Sequence, residues 1–480
     1  MAGKSIYRYR RIDQLLGKHR ELESQEIDFA SPAELNDPME GFQDVFWEGD
    51  RILWKNLVKH YILCLTQAVS IFHIAGADFE PAQVVATLHW SASTLPTPML
   101  KEFHEQTCAA FFAEEGVEEC INLLARVRTR VRREELAFYL SGLHGIALHK
   151  IMIGLIKKGR FKQAEMPPLP EDATKKAIER IHNFLSHIQR EHMDEKQILP
   201  LLFGTGSRML QQMALLHYVQ NAGKPNSGWG FLSFEFTDFY CRNIQAILYP
   251  SWYAACFVGN PNHAAMWAHY SDAHRGVCLK FRTETNSDGK PAVTLNGAMG
   301  RSHSSNGTST VIQGELKLEL NKINYGNSFP EIDFFRSLGR FPIPVLNKDW
   351  YFDSGEFSDT GRNVFADEQS WRDRYWANLR LVTTTKFSDW EHEDEYRLVV
   401  NTLLEQHMDK DSRIFRYNFS DLEGIIFGMN TSMEDKVEIV KIIDQKCAQT
   451  GRKEFEFLQA NYSSGTNVFE VFPLRLIKLA

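Results

Sequence analysis

Two acidic residues late in the chain, Glu393 and Glu395, have the spacing of a two-carboxylate site. Residues two apart in a β-strand point to the same face, so both carboxylates would face one ligand. One fixed carboxylate can stabilise developing positive charge while the other accepts a proton. Near the start of the chain, Arg8 lies between Tyr7 and Tyr9, where its guanidinium could bind phosphate oxygens in bidentate fashion. These two segments are therefore the first candidates for a functional site.

Two further segments carry polar and aromatic residues that suit a binding site. The residues they add are Asn36, Asp37 and Glu40 in an N-D-P-x-E turn, and Trp267, His269 and Tyr270 in an M-W-A-H-Y segment. Each also has a plain structural explanation, because Asn and Asp before Pro are typical of a turn. Trp and Tyr are equally typical of a hydrophobic core.

The charged residues have structural explanations as well. Arg8 can pair with Asp37 or Glu40 and fix the N-terminal strand, and Glu395 with Arg397 can be an exposed cross-strand pair. Clustering favours function, because six polar residues fall in segments that we expect to share one sheet. They are Arg8, Asn36, Asp37, His269, Glu393 and Glu395.

Hydrophobic periodicity divides the chain into three stretches. Residues 6–11 alternate in the manner of a short strand. From about 50 to 245, apolar residues recur three and four apart, which predicts helices. After about 245, short segments rich in aromatic and β-branched residues predict strands. Residues 283–310 are polar and rich in Ser, Gly, Asn and Thr, so we expect a mobile loop, and residues 437–451 predict one more helix.

This pattern predicts an α+β fold in which both chain ends contribute to one sheet. The strand at 6–11 cannot bury a face alone and should join strands from 276–281 and 395–400. The expected parts of the chain are an α+β core from residues 1–50 and 246–480 and a largely helical insertion from residues 51–245.

Composition excludes several classes of protein. Of the 480 residues, 43% are hydrophobic and 24% are charged, values ordinary for a soluble globular chain. Lys and Arg number 54 against 61 Asp and Glu, giving a formal net charge of −7. General binders of the nucleic-acid backbone are usually basic, so this class is not expected.

The seven cysteines indicate a reducing compartment. They are odd in number, widely scattered and without a C-x-x-C pair, so we expect free thiols and a cytoplasmic protein. Cys256 and Cys278 should be buried in strands. The N-terminus lacks the apolar core of a secretory signal, and no run approaches the ~18 apolar residues of a membrane span. No membrane partner is expected.

Several motifs follow one another in a fixed order. Tyr7-Arg8-Tyr9 and the N-D-P-x-E turn come first, followed by C-F, M-W-x-x-Y, G-V-x-x-x-F, W-x-x-E-x-E-Y-R and I-I-F-G, the last at residues 425–428. This ordered set, spanning residues 6–42 and 253–430, resembles a mostly bacterial family known only as domain of unknown function 2971. The helical stretch at 75–245 is much longer than the family usually has there.

Arg8 on the first strand, together with an E-x-E motif that opens a late strand, also looks like the ADP-ribosyltransferase arrangement. In that superfamily a basic residue of the first strand, an aromatic residue or Ser of a middle strand and a late Glu converge on NAD. The chain is similar in particular to bacterial toxins whose first strand is aromatic–His–aromatic, with Arg in place of His as in the arginine-first branch. This resemblance implies a split, ADP-ribosyltransferase-like β-sheet core.

The same resemblance implies a role for each candidate residue. Glu395 would stabilise the oxocarbenium-like cation formed when the nicotinamide–ribose bond breaks. Arg8 would bind ribose or pyrophosphate oxygens, and Glu393 would orient or deprotonate the acceptor. Aromatic rings would stack on the nicotinamide. The residues expected to contact NAD, besides the catalytic Glu393, Glu395 and Arg8, are Tyr9, Asn36, Asp37, Trp267, His269 and Tyr270.

We therefore expect NAD-dependent ADP-ribosyl transfer or NAD glycohydrolysis, in a bacterial toxin or an anti-phage defence effector, with no metal ligand. The acceptor, protein or nucleic acid, is not indicated. The first alternative is a non-catalytic module that senses a nucleotide or a protein, with the helical region as its interaction surface. The second is a nuclease that uses Asp37, Glu40 and Glu395 with a divalent metal.

Overall fold

The structure is a computed structural model that describes residues 5–89, 91–162, 172–191, 198–220, 229–304, 309–403, 407, 409–465 and 468–477. It contains both helices and sheets, which confirms the α+β class. The chain forms two compact units. Unit 1 consists of residues 1–42, 250–330 and 380–480, and unit 2 of residues 43–249 and 331–379. Unit 2 thus includes residues 331–379, which the sequence analysis placed with the core.

Strands make up most of unit 1. They are β1 (Ser5–Arg10), β2 (Glu26–Asp28), β5 (Trp252–Val258), β6 (Val277–Arg282), β7 (Glu284–Thr285), β8 (Pro291–His303), β9 (Ser309–Glu319), β10 (Asn321–Lys322), β11 (Asn324–Gly326), β15 (Thr385–Phe387), β16 (Glu395–Asn401), β17 (Ile414–Tyr417), β18 (Leu422–Phe427), β19 (Glu456–Ser463) and β20 (Val468–Pro473). Its helices are α1 (Ile12–Leu15), α2 (Glu21–Ser24), α11 (Ala264–Tyr270) and α15 (Met433–Thr450).

Helices make up most of unit 2. They are α3 (Arg51–Ala75), α4 (Ala82–Val85), α5 (Pro98–Phe112), α6 (Val117–Val127), α7 (Arg133–Lys157), α8 (Ala173–Glu191), α9 (Ile198–Gln220), α10 (Phe236–Asn243), α12 (Ile343–Val345) and α13 (Asp359–Ala366). Its short strands are β3 (Asp44–Trp47), β4 (Val131–Arg132), β12 (Glu331–Asp333), β13 (Phe352–Asp353) and β14 (Glu356–Phe357). One further helix, α14 (Glu368–Thr384), begins in unit 2 and ends in unit 1.

The main sheet of unit 1 has the strand order β10-β16-β5-β1-β6-β18-β19-β20. β1 pairs antiparallel with β6 from Ser5 to Arg10. β16 pairs antiparallel with β5 along its whole length, from Glu395 to Asn401. The prediction that the N-terminal strand joins strands from 276–281 and 395–400 in one sheet is confirmed. An ADP-ribosyltransferase-like core stays a prediction.

The ladder between β1 and β5 is short. Along the described strands, these two pair at Tyr7 and Val258 alone. Ala30, which follows β2, forms a bridge to Ala254 of β5 through two backbone hydrogen bonds of 2.9 Å. The main sheet is therefore open between β1 and β5, and polar side chains of both strands lie at this opening.

Apolar residues pack on both faces of the main sheet. Ile6, Phe257 and Leu279 belong to a large core that also includes residues of α15. This core extends to a second sheet, formed by β2, β7, β8, β9 and β17. Tyr9 and Trp267 belong to a smaller core with α11 on the other face. The two cores use alternate residues of β1, as expected for a strand buried on both sides. The smaller core holds α11 against the face of the main sheet that carries the Tyr9 side chain.

The helix predicted at 437–451 is confirmed as α15. The Ser432 side chain accepts a hydrogen bond from the backbone N–H of Asp435 at its start. Gly451 ends the helix in a left-handed conformation, with φ of 69°. Serine at the start and glycine just past the end are common helix signals, so the sequence located this helix well.

The prediction of a mobile loop at 283–310 is wrong. β8 and β9 form a long antiparallel hairpin within a second sheet that also contains β2, β7 and β17. A glycine that looked like a loop residue has a packing role, because a Cβ on Gly297 would come within 2.2 Å of the Phe415 ring. Part of the predicted loop, residues 305–308, lies outside the described residues.

Two helices of unit 2, α3 and α7, have the length and apolar composition of membrane spans. Within the most apolar 18-residue segment of each helix, 67% of the segment in α3 and 61% of the segment in α7 is buried inside the structure. Such burial is typical of the core helices of a soluble protein.

All seven cysteines are free thiols, as predicted. Cys278 is buried in β6, but Cys256 in β5 is only partly buried. The difference follows from position, since Cys256 lies at the opening between β1 and β5.

Candidate functional site

A cavity of about 490 Å³ lies at the opening between β1 and β5. This volume is within the ~300–1,000 Å³ typical of small-molecule sites. Its lining residues all belong to unit 1. They come from β1, α1, β2 and the segment after it, β5, α11, β15, the 3₁₀-helix before β16, and β16. Those that matter for its chemistry are Arg8, Tyr9, Asn36, Glu40, Cys256, His269, Tyr270, Lys386, Glu393, Glu395 and Arg397.

A tight turn places the two carboxylates of the E-x-E motif. Residues Ser388–Glu393 form a 3₁₀-helix, and β16 begins at Glu395. Between them, Asp394 has a left-handed backbone with φ of 43° and ψ of 51°. The two carboxylates are therefore not neighbours on one extended strand, as the sequence analysis assumed. They line the same cavity because the turn brings both to the Lys386 ammonium.

Three different groups donate hydrogen bonds to Glu393. The Lys386 ammonium lies 2.6 Å from Glu393 Oε2. The Tyr270 hydroxyl donates to Oε1, and the Asn36 side chain donates to the same oxygen over 3.3 Å. One cation and two neutral donors thus hold a carboxylate that is 3% exposed.

Glu395 is held by two cations. Arg397 donates from Nε to Glu395 Oε1 at 2.7 Å and from Nη2 to Oε2 at 3.1 Å. Lys386 Nζ lies 3.3 Å from the same Oε2. Arg397 also binds Glu40 through two bonds of 2.6 and 2.8 Å and the Thr383 carbonyl at 3.1 Å. All five N–H donors of this fully buried guanidinium are therefore used.

Burial and pairing act against each other on these groups. Burial favours the protonated form of Glu395, but the charge and hydrogen bonds of Arg397 and the charge of Lys386 outweigh it and hold the pKa well below its ordinary value. For Glu40 burial prevails over Arg397, and the pKa is raised. Burial works against the charged forms of Lys386 and Arg397, yet the neighbouring carboxylates raise the pKa of both. Glu395 and both cations are therefore charged at neutral pH.

Arg8 differs from the other buried cations of the site. It is 7% exposed and donates to the carbonyls of Cys256 at 3.4 Å and Asp28 at 3.2 Å. Burial, and then repulsion from Arg10, lowers its pKa to about 10. In the described part of the chain, no carboxylate lies within ion-pair distance of Arg8. The Arg8 guanidinium therefore lines the cavity with no carboxylate of the described residues in contact with it.

The helix α11 brings aromatic and imidazole groups to the cavity. Its last residue, Tyr270, lines the wall beside Glu393, and the exposed His269 lies next to it. Tyr9 of β1 packs edge-on against Trp267, with ring centroids 5.0 Å apart. The Trp267 indole donates to the Pro261 carbonyl at 2.8 Å, so this residue anchors α11.

The cavity brings together most of the residues selected from sequence. Seven line it, namely Arg8, Tyr9, Asn36, His269, Tyr270, Glu393 and Glu395. Trp267 and Asp37 do not. Trp267 is fully buried in the smaller core. Asp37 is 4% exposed and accepts a hydrogen bond from the Met39 N–H, as a turn residue does.

Two structural alternatives do not hold. Glu395 and Arg397 are 4% and 0% exposed, so they are not an exposed cross-strand pair. Arg8 forms no ion pair with Asp37 or Glu40, because Glu40 is bound by Arg397. These polar residues are therefore not ordinary surface charges.

From the sequence we expected no catalytic or NAD-binding role for four residues of the wall, which are Lys386, Arg397, Glu40 and Cys256. Glu40 was considered only as a metal ligand or a partner of Arg8, and Arg397 only as a partner of Glu395. The alternation of acidic and basic residues in E-x-E-x-R gave the available signal, since buried carboxylates need cations nearby. The distance of Lys386 from these carboxylates depends on the turn at Asp394, which periodicity does not indicate.

No group of three or more His, Cys, Asp or Glu residues suited to a metal ion occurs among the described residues. The carboxylates of Glu40 and Glu395 converge, but on the guanidinium of Arg397. Two of the three residues considered as ligands of a divalent metal are thus already bound to a cation of the chain.

Comparison with known proteins gives one family match. Residues 266–398 match the model of a family described as a protein of unknown function (DUF2971). The matched segment includes most of α11, Lys386 and the two carboxylates, and it supports the resemblance to this family. No curated protein and no solved structure matches the chain.

Proposed function

We propose that the cavity of unit 1 binds NAD and that this unit transfers ADP-ribose from it or hydrolyses it to ADP-ribose and nicotinamide. The observation that carries the proposal is the buried, unpaired charge of Arg8 in the same cavity as Glu393 and Glu395. The opening of the sheet between β1 and β5 supports it, since the proposed ADP-ribosyltransferase-like core is split.

Arg8 supports an anionic ligand. A buried cation with no carboxylate in contact costs free energy, even where Glu21 and Asp28 attract it from a distance. Part of this cost is recovered when an anion binds. The guanidinium has five N–H donors, of which two hydrogen bonds to carbonyls are accounted for. The remaining donors suit the oxygens of a pyrophosphate, which guanidinium groups bind in bidentate fashion.

The carboxylates support chemistry at a cationic centre. NAD supplies a nicotinamide–ribose bond whose cleavage builds positive charge on the sugar. Glu393 and Glu395 would stabilise that charge at fixed positions, because their hydrogen bonds hold both side chains in place before the reaction. Tyr270 would position the ligand beside Glu393 and present an aromatic face to the nicotinamide.

A non-catalytic binding module is the second candidate, and one observation favours it. Glu395 is neutralised by two hydrogen bonds from Arg397 and one from Lys386. A carboxylate so completely paired has less charge to offer a transition state. The same network would make a rigid wall for a nucleotide that is bound and not consumed.

The decisive experiment is incubation with NAD followed by measurement of free nicotinamide. Arg8→Ala should raise the NAD concentration needed for half-maximal rate by about 10- to 100-fold, since a hydrogen bond to a charged group contributes about 1.5–3 kcal/mol. Arg416→Ala is the matched control, because Arg416 pairs with Glu26 and is largely exposed. Calorimetric NAD binding without nicotinamide release would favour the non-catalytic module. If the protein neither bound NAD nor released nicotinamide, the proposal would be refuted.

The biological setting remains part of the proposal. We propose a cytoplasmic toxin or anti-phage effector whose acceptor is a protein or a nucleic acid, and whose helical region contacts a protein partner. The free thiols of all seven cysteines are compatible with a reducing compartment.

A further inference from the structure

Lys386 is placed to act on both carboxylates of the site at once. It lies in β15, is 2% exposed and lines the cavity. Its Nζ is 2.6 Å from Glu393 Oε2 and 3.3 Å from Glu395 Oε2, and 4.8 Å from the centre of the Trp390 ring. An ammonium has three N–H donors and no acceptor. The two carboxylates and the ring therefore account for its whole bonding capacity.

The second cation of the network cannot replace it. Arg397 uses all five donors on Glu395, Glu40 and a backbone carbonyl. Among the described residues, Lys386 is the one cation within ion-pair distance of Glu393. Without it, Glu393 would be a buried carboxylate with only the Tyr270 hydroxyl and the Asn36 amide as donors. Such a group is costly to bury, because no cation would be in contact with its carboxylate.

The formal charges of the contact network do not cancel. Three carboxylates, those of Glu40, Glu393 and Glu395, are in contact with two cations, Lys386 and Arg397. Carboxylates thus outnumber cations at this wall, and each cation is shared. Lys386 contacts Glu393 and Glu395, and Arg397 contacts Glu395 and Glu40.

We infer that Lys386 is a positioning residue that holds Glu393 and Glu395 together at the cavity wall and keeps Glu395 ionised. The inference deepens the proposed function and rests on it for the catalytic test, but the electrostatic test below is independent of NAD. Lys386 acts through the two carboxylates and not as a proton acceptor, because its ammonium has no lone pair and donates to both of them. Its charge, more than its bulk, is what the site requires.

The first test measures stability against pH without NAD. The lowered pKa of Glu395 means that its stabilisation is present above the unfolded-state pKa and lost as the pH falls through the folded-state pKa. Lys386→Met removes one cause of that lowering, so the loss should be complete at a higher pH, by about one unit or more, and should be smaller in total. Lys322→Met is the matched control, because Lys322 pairs with the neighbouring Asp394 and is 61% exposed. It should keep the wild-type profile.

The second test measures nicotinamide release. Lys386→Met should lower kcat by on the order of 100-fold at neutral pH, with a smaller change in KM. Lys386→Arg, which keeps the charge, should retain more activity than the methionine variant. A methionine variant with wild-type kcat and a wild-type acid profile would overturn the inference. A wild type that releases no nicotinamide, while the acid profile of the variant still shifts, would refute the proposed function and leave the role of Lys386 standing.

A double variant covers the case in which Lys386→Met does not fold. If Lys386 acts through Glu393, its removal should cost less in a Glu393→Gln background, because that background has no second charge to leave unpaired. Folding of the double variant would support the inference. Failure of the double variant to fold, when Glu393→Gln alone folds, would overturn it.

Discussion

Glu395 is buried, charged and bound by two cations, so its replacement should affect both stability and turnover. Breaking a buried ion pair by removing one partner typically costs about 3–5 kcal/mol, because the other charge is left uncompensated. Glu395→Gln should therefore lower the free energy of unfolding by about that amount and also abolish nicotinamide release. Urea unfolding and the nicotinamide assay check the two parts separately.

Glu40→Gln is the control that separates the two effects. Glu40 pairs with the same guanidinium through two hydrogen bonds, so its loss should also destabilise unit 1. If Glu395 has the proposed catalytic role, the Glu40 variant should retain clearly more turnover at equal fractional folding. Equal losses of activity in both variants would reduce Glu395 to a structural residue.

Residue types near the cavity could be chosen from sequence, but their partners could not. Glu393 and Glu395 stood out because their spacing suits a two-carboxylate site, and Arg8 because it lies between two tyrosines of a predicted strand. The sequence analysis described Glu395 and Arg397 as a possible exposed pair, since a strand shows which residues share a face and not how deeply that face is buried. Burial changes the meaning of these charges, because their interaction is far stronger away from water.

At the scale of elements, α11 ends in an unusual turn. Asp272, Ala273 and His274 all have left-handed backbones, with φ of 50°, 50° and 67°. A left-handed conformation costs a non-glycine residue roughly 1–2 kcal/mol. The turn is held by backbone hydrogen bonds from Ala273 to Ala268 and from His274 to Trp267. It fixes the end of the helix that brings Tyr270 to the cavity.

Ala273→Gly should therefore stabilise unit 1. Glycine relieves the backbone strain in the folded state, but it also gives the unfolded chain more conformational freedom. We therefore expect the free energy of unfolding to rise by about 0.5–1 kcal/mol. Ala268→Gly, in the right-handed part of α11, should instead lose about 1 kcal/mol. Thermal unfolding of both variants measures the difference, and a loss of stability in both would contradict the strain argument.

The sequence predicted elements better where the local pattern is strong. α15 has a serine cap, an apolar face and a terminal glycine, and it was located correctly. The hairpin of β8 and β9 was missed because its small and polar residues resemble a loop, while its pairing depends on β17 and β2 far away in the chain. Hydrophobic periodicity could not predict the opening between β1 and β5 either. Along β5, Val258 pairs with Tyr7 of β1, but Ala254 pairs with Ala30, which periodicity does not place there.

At the scale of the molecule, the histidines of unit 2 determine an expected response to acid. Both units hold buried carboxylates with cations, for example Glu393 with Lys386 in unit 1 and Glu135 with Arg128 in unit 2. Unit 2 also holds several buried or partly buried histidines, and burial lowers the pKa of His89, His104 and His144 to about 4. These imidazoles are neutral in the folded state at pH values where they would be charged in the unfolded chain.

Unit 2 should accordingly lose stability as the pH falls from about 6.5 to about 4. For a group whose folded-state pKa is lowered, the stabilisation is complete above the unfolded-state pKa and is lost as the pH falls through the folded-state pKa. His104, on α5, is 4% exposed and contacts the Cys108 thiol. Each unit of pKa shift corresponds to about 1.4 kcal/mol, so His104 alone should contribute up to about 3 kcal/mol to this loss.

His104→Gln tests this origin directly. Glutamine does not titrate, so the variant should show a smaller decrease in the free energy of unfolding between pH 6.5 and 4 than the wild type, even if it is less stable at neutral pH. His187→Gln is the control, because His187 is an exposed residue of α8, and its pH dependence should match the wild type. The measurement is urea unfolding at several pH values, followed by tryptophan fluorescence. Equal slopes for wild type and His104→Gln would mean that other groups cause the acid sensitivity of unit 2.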